Sequence, residues 1–198
     1  MQQMTEVIRL KYGNTACYLF QGTKKILLDT DWAGTLPRFF HELGQRRLTV
    51  QAIDYLLVTH YHPDHMGLAA DLMALGIRLV VLDCQRAYLH HSDYVFEKEH
   101  NQFFRPINDQ AIKLVKLANS RTFLHHCGIN GTILSTPGHS ADSISIVLDD
   151  GEAFVGDLYP LDQVALYHKP ILTSSWRKLK VANVHQVHFA HYADEVIS

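Results

Sequence analysis

The chain has 198 residues, of which 47% are apolar and 19% are charged, a balance typical of a globular protein. We expect one domain spanning residues 1–198, because this length is enough for a single hydrophobic core. The net charge of -2 provides no general attraction to nucleic acid or to an acidic membrane, so neither partner is expected. The expected partner is a small-molecule substrate, and the oligomeric state stays open, with a homodimer among the alternatives.

The cysteines lie far apart in the sequence, at Cys17, Cys84 and Cys127. They form neither a Cys-x-x-Cys pair nor an even disulfide framework, which is typical of proteins in a reducing compartment. No run of apolar residues approaches the length needed to cross a bilayer. We therefore expect a cytoplasmic protein.

Short strand patterns open the chain at residues 5–10, 15–20 and 25–28, separated by Gly-Asn and Gly-Thr turns. This spacing predicts an antiparallel meander at the edge of a sheet. The third strand ends at Asp29, which either caps the following turn or supports a metal ligand through a hydrogen bond. Asp31 is predicted to be a plain turn or capping residue.

An alternation of helix and strand patterns follows the meander. Apolar spacing predicts a helix over 35–45, a strand over 52–59, a helix over 64–75 and a strand over 77–82. Strands that alternate with helices pair in parallel through right-handed crossovers. We therefore predict an α/β layer arrangement in this part of the chain.

The segment around 85–120 is rich in charged and aromatic residues and has weak periodicity. We predict a mostly helical insertion here, with a helix over 109–117. Two roles stay open, because an aromatic insertion can form a lid or substrate wall, whereas a helical pair can serve only to pack on the sheet. Substrate specificity is expected to lie in this segment and in the loop 158–173.

The last third of the chain returns to strand patterns separated by Gly and Asn-Gly turns. A helix is predicted around 174–181, and a strand over 185–191 follows it. The earlier strands of this part should form an antiparallel series, and they are predicted at 121–126, 131–135, 143–148 and 152–155.

The most informative stretch, residues 55–67, reads Tyr-Leu-Leu-Val-Thr-His-Tyr-His-Pro-Asp-His-Met-Gly. An apolar run followed by helical spacing predicts that its donors lie on a strand-to-helix turn, which holds the backbone still. Imidazole and carboxylate groups suit zinc and also iron or manganese. Because four donors within six residues cannot reach one ion without strain, we predict two neighbouring sites. These donors are His60 and His62 for one ion, and Asp64 and His65 for the other.

Further donors lie at the ends of other predicted strands, namely His139, Asp157 and His191. Ligands collected at strand ends form a rigid site that stays open to substrate on one face. His188 is the alternative to His191, and only one of the two can face the site if the strand alternates regularly. We prefer His191 because it ends the strand.

Taken together, these motifs resemble the metallo-β-lactamase superfamily. The resemblance consists of His-x-His-x-Asp-His at 60–65, Pro-Gly-His at 137–139, Gly-Asp at 156–157 and a late histidine. Asp29 matches the aspartate that closes an early strand in this family, although Thr-Asp replaces the usual glycine after it.

The resemblance implies a four-layer αββα sandwich of the α/β (α+β) class, with a dinuclear metal site at one edge. It also implies two Zn²⁺ ions per chain, with iron or manganese as alternatives. The implied ligands are His60, His62 and His139 for one metal, Asp64, His65 and His191 for the other, and Asp157 as the bridge.

The expected function is a metal-dependent hydrolase that uses a metal-bound hydroxide on a small ester, thioester or lactone. Asp64 is the candidate catalytic residue, because its free oxygen can orient the hydroxide and pass a proton to the leaving group. The alternatives are a mononuclear-iron oxidoreductase similar to persulfide dioxygenases, a phosphodiesterase on the same scaffold, and a non-enzymatic binding protein.

Overall fold

The computed structural model describes residues 5–197, and within that range the strands form two sheets. The one-domain prediction includes positions 1–4 and 198, which lie outside the described residues, and it stays a prediction. The first sheet contains, in chain order, Glu6–Leu10 (β1), Cys17–Gln21 (β2), Lys25–Leu28 (β3), Tyr55–Leu57 (β4), Arg78–Leu82 (β5) and Lys113–Val115 (β6). The second contains Gly131–Ser135 (β7), Ile144–Leu148 (β8), Glu152–Phe154 (β9), Gln186–His188 (β10) and Glu195–Val196 (β11).

The α-helices of the described range are Leu36–Gln45 (α1), Pro63–Met66 (α2), Ala69–Ala74 (α3), Asp93–Lys98 (α4), Ser120–His126 (α5) and Pro170–Val181 (α6). Short 3₁₀ turns lie at Val50–Ala52, Asp83–Tyr88, Leu117–Asn119 and Leu161–Tyr167. Even α6 has only 12 residues. Between residues 5 and 197, no helix is long and apolar enough to cross a membrane.

The side chains of each sheet divide between two cores, because successive residues of a strand face opposite sides. In β2, Leu19 packs in the cluster that holds Phe39 of α1, whereas Phe20 packs in the cluster between the two sheets. On the outer face of the second sheet, Val187 of β10 packs in a third cluster with Trp176 of α6. This order of helix, sheet, sheet and helix confirms the predicted four-layer αββα sandwich and the α/β fold class.

The first sheet changes from antiparallel to parallel pairing, as predicted. β1, β2 and β3 form the antiparallel meander, and β3, β4, β5 and β6 pair in parallel. Parallel neighbours place the carboxyl ends of β3 and β4 side by side, where ligands of α/β folds commonly bind. Asp29 and the histidine-rich turn 59–65 both lie at this end of the sheet.

The helix predicted over 64–75 is split into α2 and α3. The backbone N–H and the hydroxyl of Thr30 both donate to the carbonyl of His65, at 2.9 and 3.0 Å. The N–H of Leu68 donates to the Thr30 hydroxyl at 3.2 Å. These bonds replace helical hydrogen bonds at the break, and they tie the histidine-rich turn to the end of β3.

The second sheet brings two predicted donors to neighbouring strand ends. β7, β8 and β9 are antiparallel, as predicted, whereas β10 pairs with β9 in parallel. Asp157 follows β9 and His191 follows β10, so both lie beyond the same end of the sheet. The crossover between these strands contains α6, which begins earlier than predicted because proline is accepted in the first turn of a helix.

Several element predictions in the middle of the chain are wrong. The helix predicted over 109–117 is instead β6, whose Val115 is buried between the sheets. The strand predicted over 121–126 is instead α5, because Phe123 and Leu124 reach the same cluster from a helix. The segment 85–120, which is described throughout, contains α4 as its only complete α-helix, so its predicted mostly helical character is also wrong.

Candidate metal centre

The histidine-rich turn joins β4 to α2. His62 precedes α2, and Pro63 is its first residue, where a missing N–H costs no helical hydrogen bond. The N–H groups of His65 and Met66 both donate to the carbonyl of His62, at 3.0 and 3.2 Å. The turn thus separates the donors before the proline from those after it.

The first donor set consists of His60, His62 and His139, whose candidate ligand atoms all lie within 4.8 Å of one another. Nε2 of His139 is 2.9 Å from Nδ1 of His62. His139 lies on the loop between β7 and β8, so this set joins the turn of the first sheet to a loop of the second.

The second donor set consists of Asp64, His65, Asp157 and His191, again within 4.8 Å of one another. Nε2 of His191 is 2.9 Å from Oδ2 of Asp64 and 3.3 Å from Nε2 of His65. The structure therefore brings all seven predicted ligands into two adjacent sets, while their binding of metal stays a prediction.

Asp157 faces both sets. Its Oδ2 is 3.4 Å from Nε2 of His139 and 3.9 Å from Nε2 of His60. Its Oδ1 is 3.2 Å from Nε2 of His65 and 3.4 Å from Nε2 of His191. One carboxylate with an oxygen toward each set has the geometry of the predicted bridge.

The donor sets fit a pair of divalent ions. Nε2 of His60 and Oδ1 of Asp157 are buried and make no hydrogen bond among the described residues. A buried polar atom without a partner costs free energy, which coordination to a cation would remove. Imidazole and carboxylate donors without a thiolate suit zinc, iron and manganese.

The protonation states of the first set suit metal binding. Burial, together with the surrounding histidines, lowers the pKa of His60 well below its usual value. Burial likewise lowers the pKa of His62 and that of His139. A neutral imidazole is the form that binds a metal ion. Burial acts to raise the pKa of Asp64, but the hydrogen bond from His191 and the charges of His65 and His191 together outweigh it and hold this pKa at about 2.

Asp29 lies directly behind His65. Its Oδ2 is 3.0 Å from Nδ1 of His65, and it also accepts hydrogen bonds from the N–H and the hydroxyl of Thr59, at 2.6 and 2.9 Å. Burial acts to lower the pKa of His65, but the charges and hydrogen bonds of Asp29 and Asp157 together outweigh it and raise this pKa. Because the carboxylate of Asp29 occupies Nδ1 of His65, the other ring nitrogen, Nε2, is the one that faces the donors of the second set. Of the two roles predicted for Asp29, hydrogen bonding to a candidate ligand is the one observed.

His188 lies outside both donor sets. Its Nδ1 is 2.9 Å from Asp194 and its Nε2 is 3.1 Å from Glu152, while its ring stacks on Phe154 with centroids 4.6 Å apart. Both ring nitrogens therefore have partners away from the cluster. The structure places His191, as preferred, and not His188, in the second set.

Two buried polar residues that hold the turn are missed by the sequence analysis. The first is Thr59, against which Gly156 packs so closely that a Cβ on residue 156 would overlap the Thr59 hydroxyl. Gly156 also has a φ of 59°, which favours glycine. The second is Asp142, which accepts a hydrogen bond from the N–H of Tyr61 at 2.7 Å. An acid shortly after the Pro-Gly-His motif is a signal for Asp142, whereas nothing local distinguishes Thr59.

Helix α6 supports the loop that carries His139. The hydroxyl of Ser175 donates to the carbonyl of Pro137 at 2.7 Å, and the ammonium of Lys178 donates to the carbonyl of Ser135 at 2.6 Å. Ser175 is buried. The helix therefore fixes the backbone before the third ligand of the first set.

A cavity of about 220 Å³ opens beside the first set. Tyr88 and His91, from the segment 85–120, line it together with His139. Elsewhere in this segment Phe96 is fully buried in the cluster that holds Phe39 of α1. The segment therefore combines the two roles left open for it, since one part forms a wall and another part packs on the first sheet.

Residues 10–191 match the family model described as the Metallo-beta-lactamase superfamily. The Beta-lactamase-like protein 2 homolog of Drosophila melanogaster is 30% identical over 146 residues, covering 73% of this chain and 46% of the relative. Thioesterase pkgB of Emericella nidulans is 30% identical over 153 residues, covering 73% of this chain and 35% of the relative. The chain thus spans less than half the length of these two curated relatives.

The fold is also shared with solved structures. A protein described as TTHA1623 in a di-iron-bound form has a TM-score of 0.72 and 20% sequence identity, covering 96% of this chain and 94% of the other. At this identity the likeness concerns the fold alone. Because the family match spans most of the sequence and the four-layer fold agrees with it, the chain belongs to the metallo-beta-lactamase superfamily.

Proposed function

We propose that this chain is a metal-dependent hydrolase whose substrates are small thioesters. The observation that carries the proposal is the convergence of seven donor residues into two sets that share one carboxylate. Divalent ions, when bound, supply Lewis-acid activation of a carbonyl group and of water. The residues that would hold them are His60, His62 and His139 in one set, Asp64, His65 and His191 in the other, and Asp157 between the two.

Asp64 is the residue that we propose as catalytic. A carboxylate ligand is ionised, and one of its oxygens, Oδ2, lies 2.9 Å from His191. The other oxygen would orient the attacking water and take up its proton. In the proposed reaction, the oxygen of water would add to the carbonyl carbon, the C–S bond would break to release a thiolate, and the thiolate would then take up the proton that Asp64 had accepted.

A thioester suits this site better than an oxygen ester does. A thiol has a pKa of about 8.5, so a thiolate departs without prior protonation and needs no strong acid beside it. The thioesterase from Emericella nidulans among the relatives supports the same choice.

Hydrolysis assays with metal-loaded protein test the proposal. The panel contains S-acetyl-N-acetylcysteamine, its oxygen-ester counterpart, a lactone and a phosphodiester. We expect the thioester to be cleaved fastest, and the activity to be lost in His62→Ala but kept in His41→Ala, which removes an exposed histidine of α1. Turnover of none of these bonds would refute the hydrolase, and faster cleavage of another bond would refute the preference for thioesters.

We propose zinc as the metal, with two ions per chain. Nitrogen and carboxylate donors also suit iron or manganese, and the di-iron form of a structural neighbour makes iron the second candidate. Elemental mass spectrometry on protein purified without chelator distinguishes them. Two zinc ions, lost in His62→Ala, would support the hydrolase, whereas iron together with oxygen consumption would support a persulfide-dioxygenase-like oxidoreductase instead.

We further propose that the protein works in the cytoplasm. Its cysteines are free, and both Cys17 and Cys127 are buried. Free thiols persist in a reducing compartment. Fractionation of the native host with an antibody against the chain tests this, and recovery of the protein outside the cytoplasm would contradict it.

A further inference from the structure

A second cleft lies along one face of α6, with a volume of about 550 Å³. Its lining residues from α6 recur at helical spacing, so they share a face of the helix. These residues are Pro170, Thr173, Ser174 and Arg177. The remaining lining residues come from the 3₁₀ turn before the helix and the short connection to it, and they are Val164, Ala165, His168 and Lys169.

The cleft carries positive charge without a balancing acid. Lys169 and Arg177 are cationic, Thr173 and Ser174 offer hydroxyl groups, and no lining residue is acidic. Within residues 5–197, neither cation takes part in an ion pair, unlike Lys24 and the other paired cations. Cationic side chains without an acidic partner are available to an anion.

Three contacts connect the cleft with the loop that carries His139. The ammonium of Lys169 is 3.5 Å from the carbonyl of Gly138, the residue before His139. The ring of Tyr159 meets that of His139 edge-on, with centroids 5.8 Å apart. Tyr159 also stacks on Tyr167, at the end of the 3₁₀ turn that lines the cleft, with centroids 3.9 Å apart. These contacts place the cleft next to the loop that carries His139.

We infer that this cleft binds an anionic group, phosphate or carboxylate, of the thioester whose carbonyl reacts at the metal centre. The inference rests on the proposed thioesterase function and adds a substrate class to it. The planar guanidinium of Arg177 matches two oxygens of either group, and Lys169 supplies a further cation. A phosphate would belong to the thiol carrier, and a carboxylate would belong to the acyl group.

Three substrates distinguish a phosphate of the thiol carrier from a carboxylate of the acyl group. Acetyl coenzyme A has phosphates on the thiol side only, S-succinyl-N-acetylcysteamine has a carboxylate on the acyl side only, and S-acetyl-N-acetylcysteamine has neither. In Arg177→Gln we expect kcat/KM to fall about tenfold for one of the two anionic substrates, because a charge-assisted hydrogen bond is lost. The value for the neutral substrate should not change. Lys180→Gln, which removes an exposed cation of α6 outside the cleft, is the matched control.

Each outcome has a defined meaning. A loss confined to acetyl coenzyme A assigns the cleft to phosphate, and a loss confined to the succinyl thioester assigns it to carboxylate. An unchanged value for both anionic substrates would overturn the inference. An equal loss for all three substrates, or the same loss in Lys180→Gln, would overturn it as well.

Binding measurements keep this inference separate from the proposed function. S-ethyl coenzyme A is a thioether that cannot be hydrolysed, and succinate has no thioester. Isothermal titration calorimetry on metal-loaded protein should show about tenfold weaker binding of one of them to Arg177→Gln, with a smaller difference at high salt. Equal affinities of wild type and variant for both probes would overturn the inference whether or not thioesters are cleaved.

Discussion

The bond between Asp29 and His65 sets the orientation of one candidate ligand. Asp29→Asn keeps the size of the side chain and removes its charge, so we expect the metal affinity of the second set to fall roughly 10- to 100-fold. Competition with a chelator measures this affinity. Asp54→Asn, which changes a surface acid 2.8 Å from Lys24, is the control. Equal affinities in the two variants would contradict the role of Asp29.

The neighbouring histidines His191 and His188 allow a second comparison at the scale of single residues. His191→Ala removes a donor from the second set, so we expect it to bind one ion fewer than wild type. His188→Ala removes the contacts with Asp194 and Glu152 and the stacking on Phe154, none of which involves a donor residue, so the metal content should be that of wild type. Elemental mass spectrometry measures the metal content per chain of both variants. Loss of an ion in His188→Ala but not in His191→Ala would show that His188 is the ligand.

At this scale, the sequence predicts the donors well because each lies in a short motif or beside a strand end, and few residue types bind metal. The choice between His188 and His191 depends on where β10 ends, which pairing with β9 decides. Asp142 is harder to predict, because its partner, Tyr61, is remote in the sequence. The position of Asp142 shortly after the Pro-Gly-His motif is a signal for the residue, but its hydrogen bond to a distant partner leaves no local pattern.

The support that α6 gives to the Pro-Gly-His loop can be tested through Ser175. Ser175→Ala leaves the carbonyl of Pro137 without this donor, so we expect a loss of about 1–3 kcal/mol in the free energy of unfolding. Urea denaturation measures it. Ser174→Ala, the neighbouring half-buried position, should change this free energy by less than about 0.5 kcal/mol. Similar values for the two variants would contradict the support by α6.

Long or regular elements were predictable from the sequence, and short ones were not. The strands β1, β2 and β3 have clear turns between them, and the helix α1 has a complete apolar face with Phe39 and Leu43 buried. The segments that form β6 and α5 contain few apolar residues, so the spacing of their apolar positions does not distinguish a strand from a helix. Residues 113–115 form the strand β6 because they pair with the free edge of β5. Residues 120–126 form the helix α5 because Phe123 and Leu124 then pack in the cluster between the sheets.

At the scale of the whole molecule, each donor set draws on both sheets, since residues 59–65 follow β4 and the later donors follow β7, β9 and β10. Metal should therefore stabilise the fold as a unit. With free metal 100-fold above Kd, binding to the folded state alone raises the free energy of unfolding by about 2.7 kcal/mol. For a chain of this size, this corresponds to a rise in Tm of about 5–10 °C. Calorimetry with and without chelator measures the shift. We expect a smaller shift in His191→Ala, and an equal one would contradict the linkage.

Because the candidate ligands are divided between the two sheets, they are not all synthesised at the same stage of translation. The ribosome completes residues 59–65 and the first sheet well before His139, Asp157 and His191 exist. An ion that met the nascent chain at that stage would find only part of the donor set, so it would bind more weakly than in the folded protein. The complete donor set for either ion therefore exists only after the second sheet has folded.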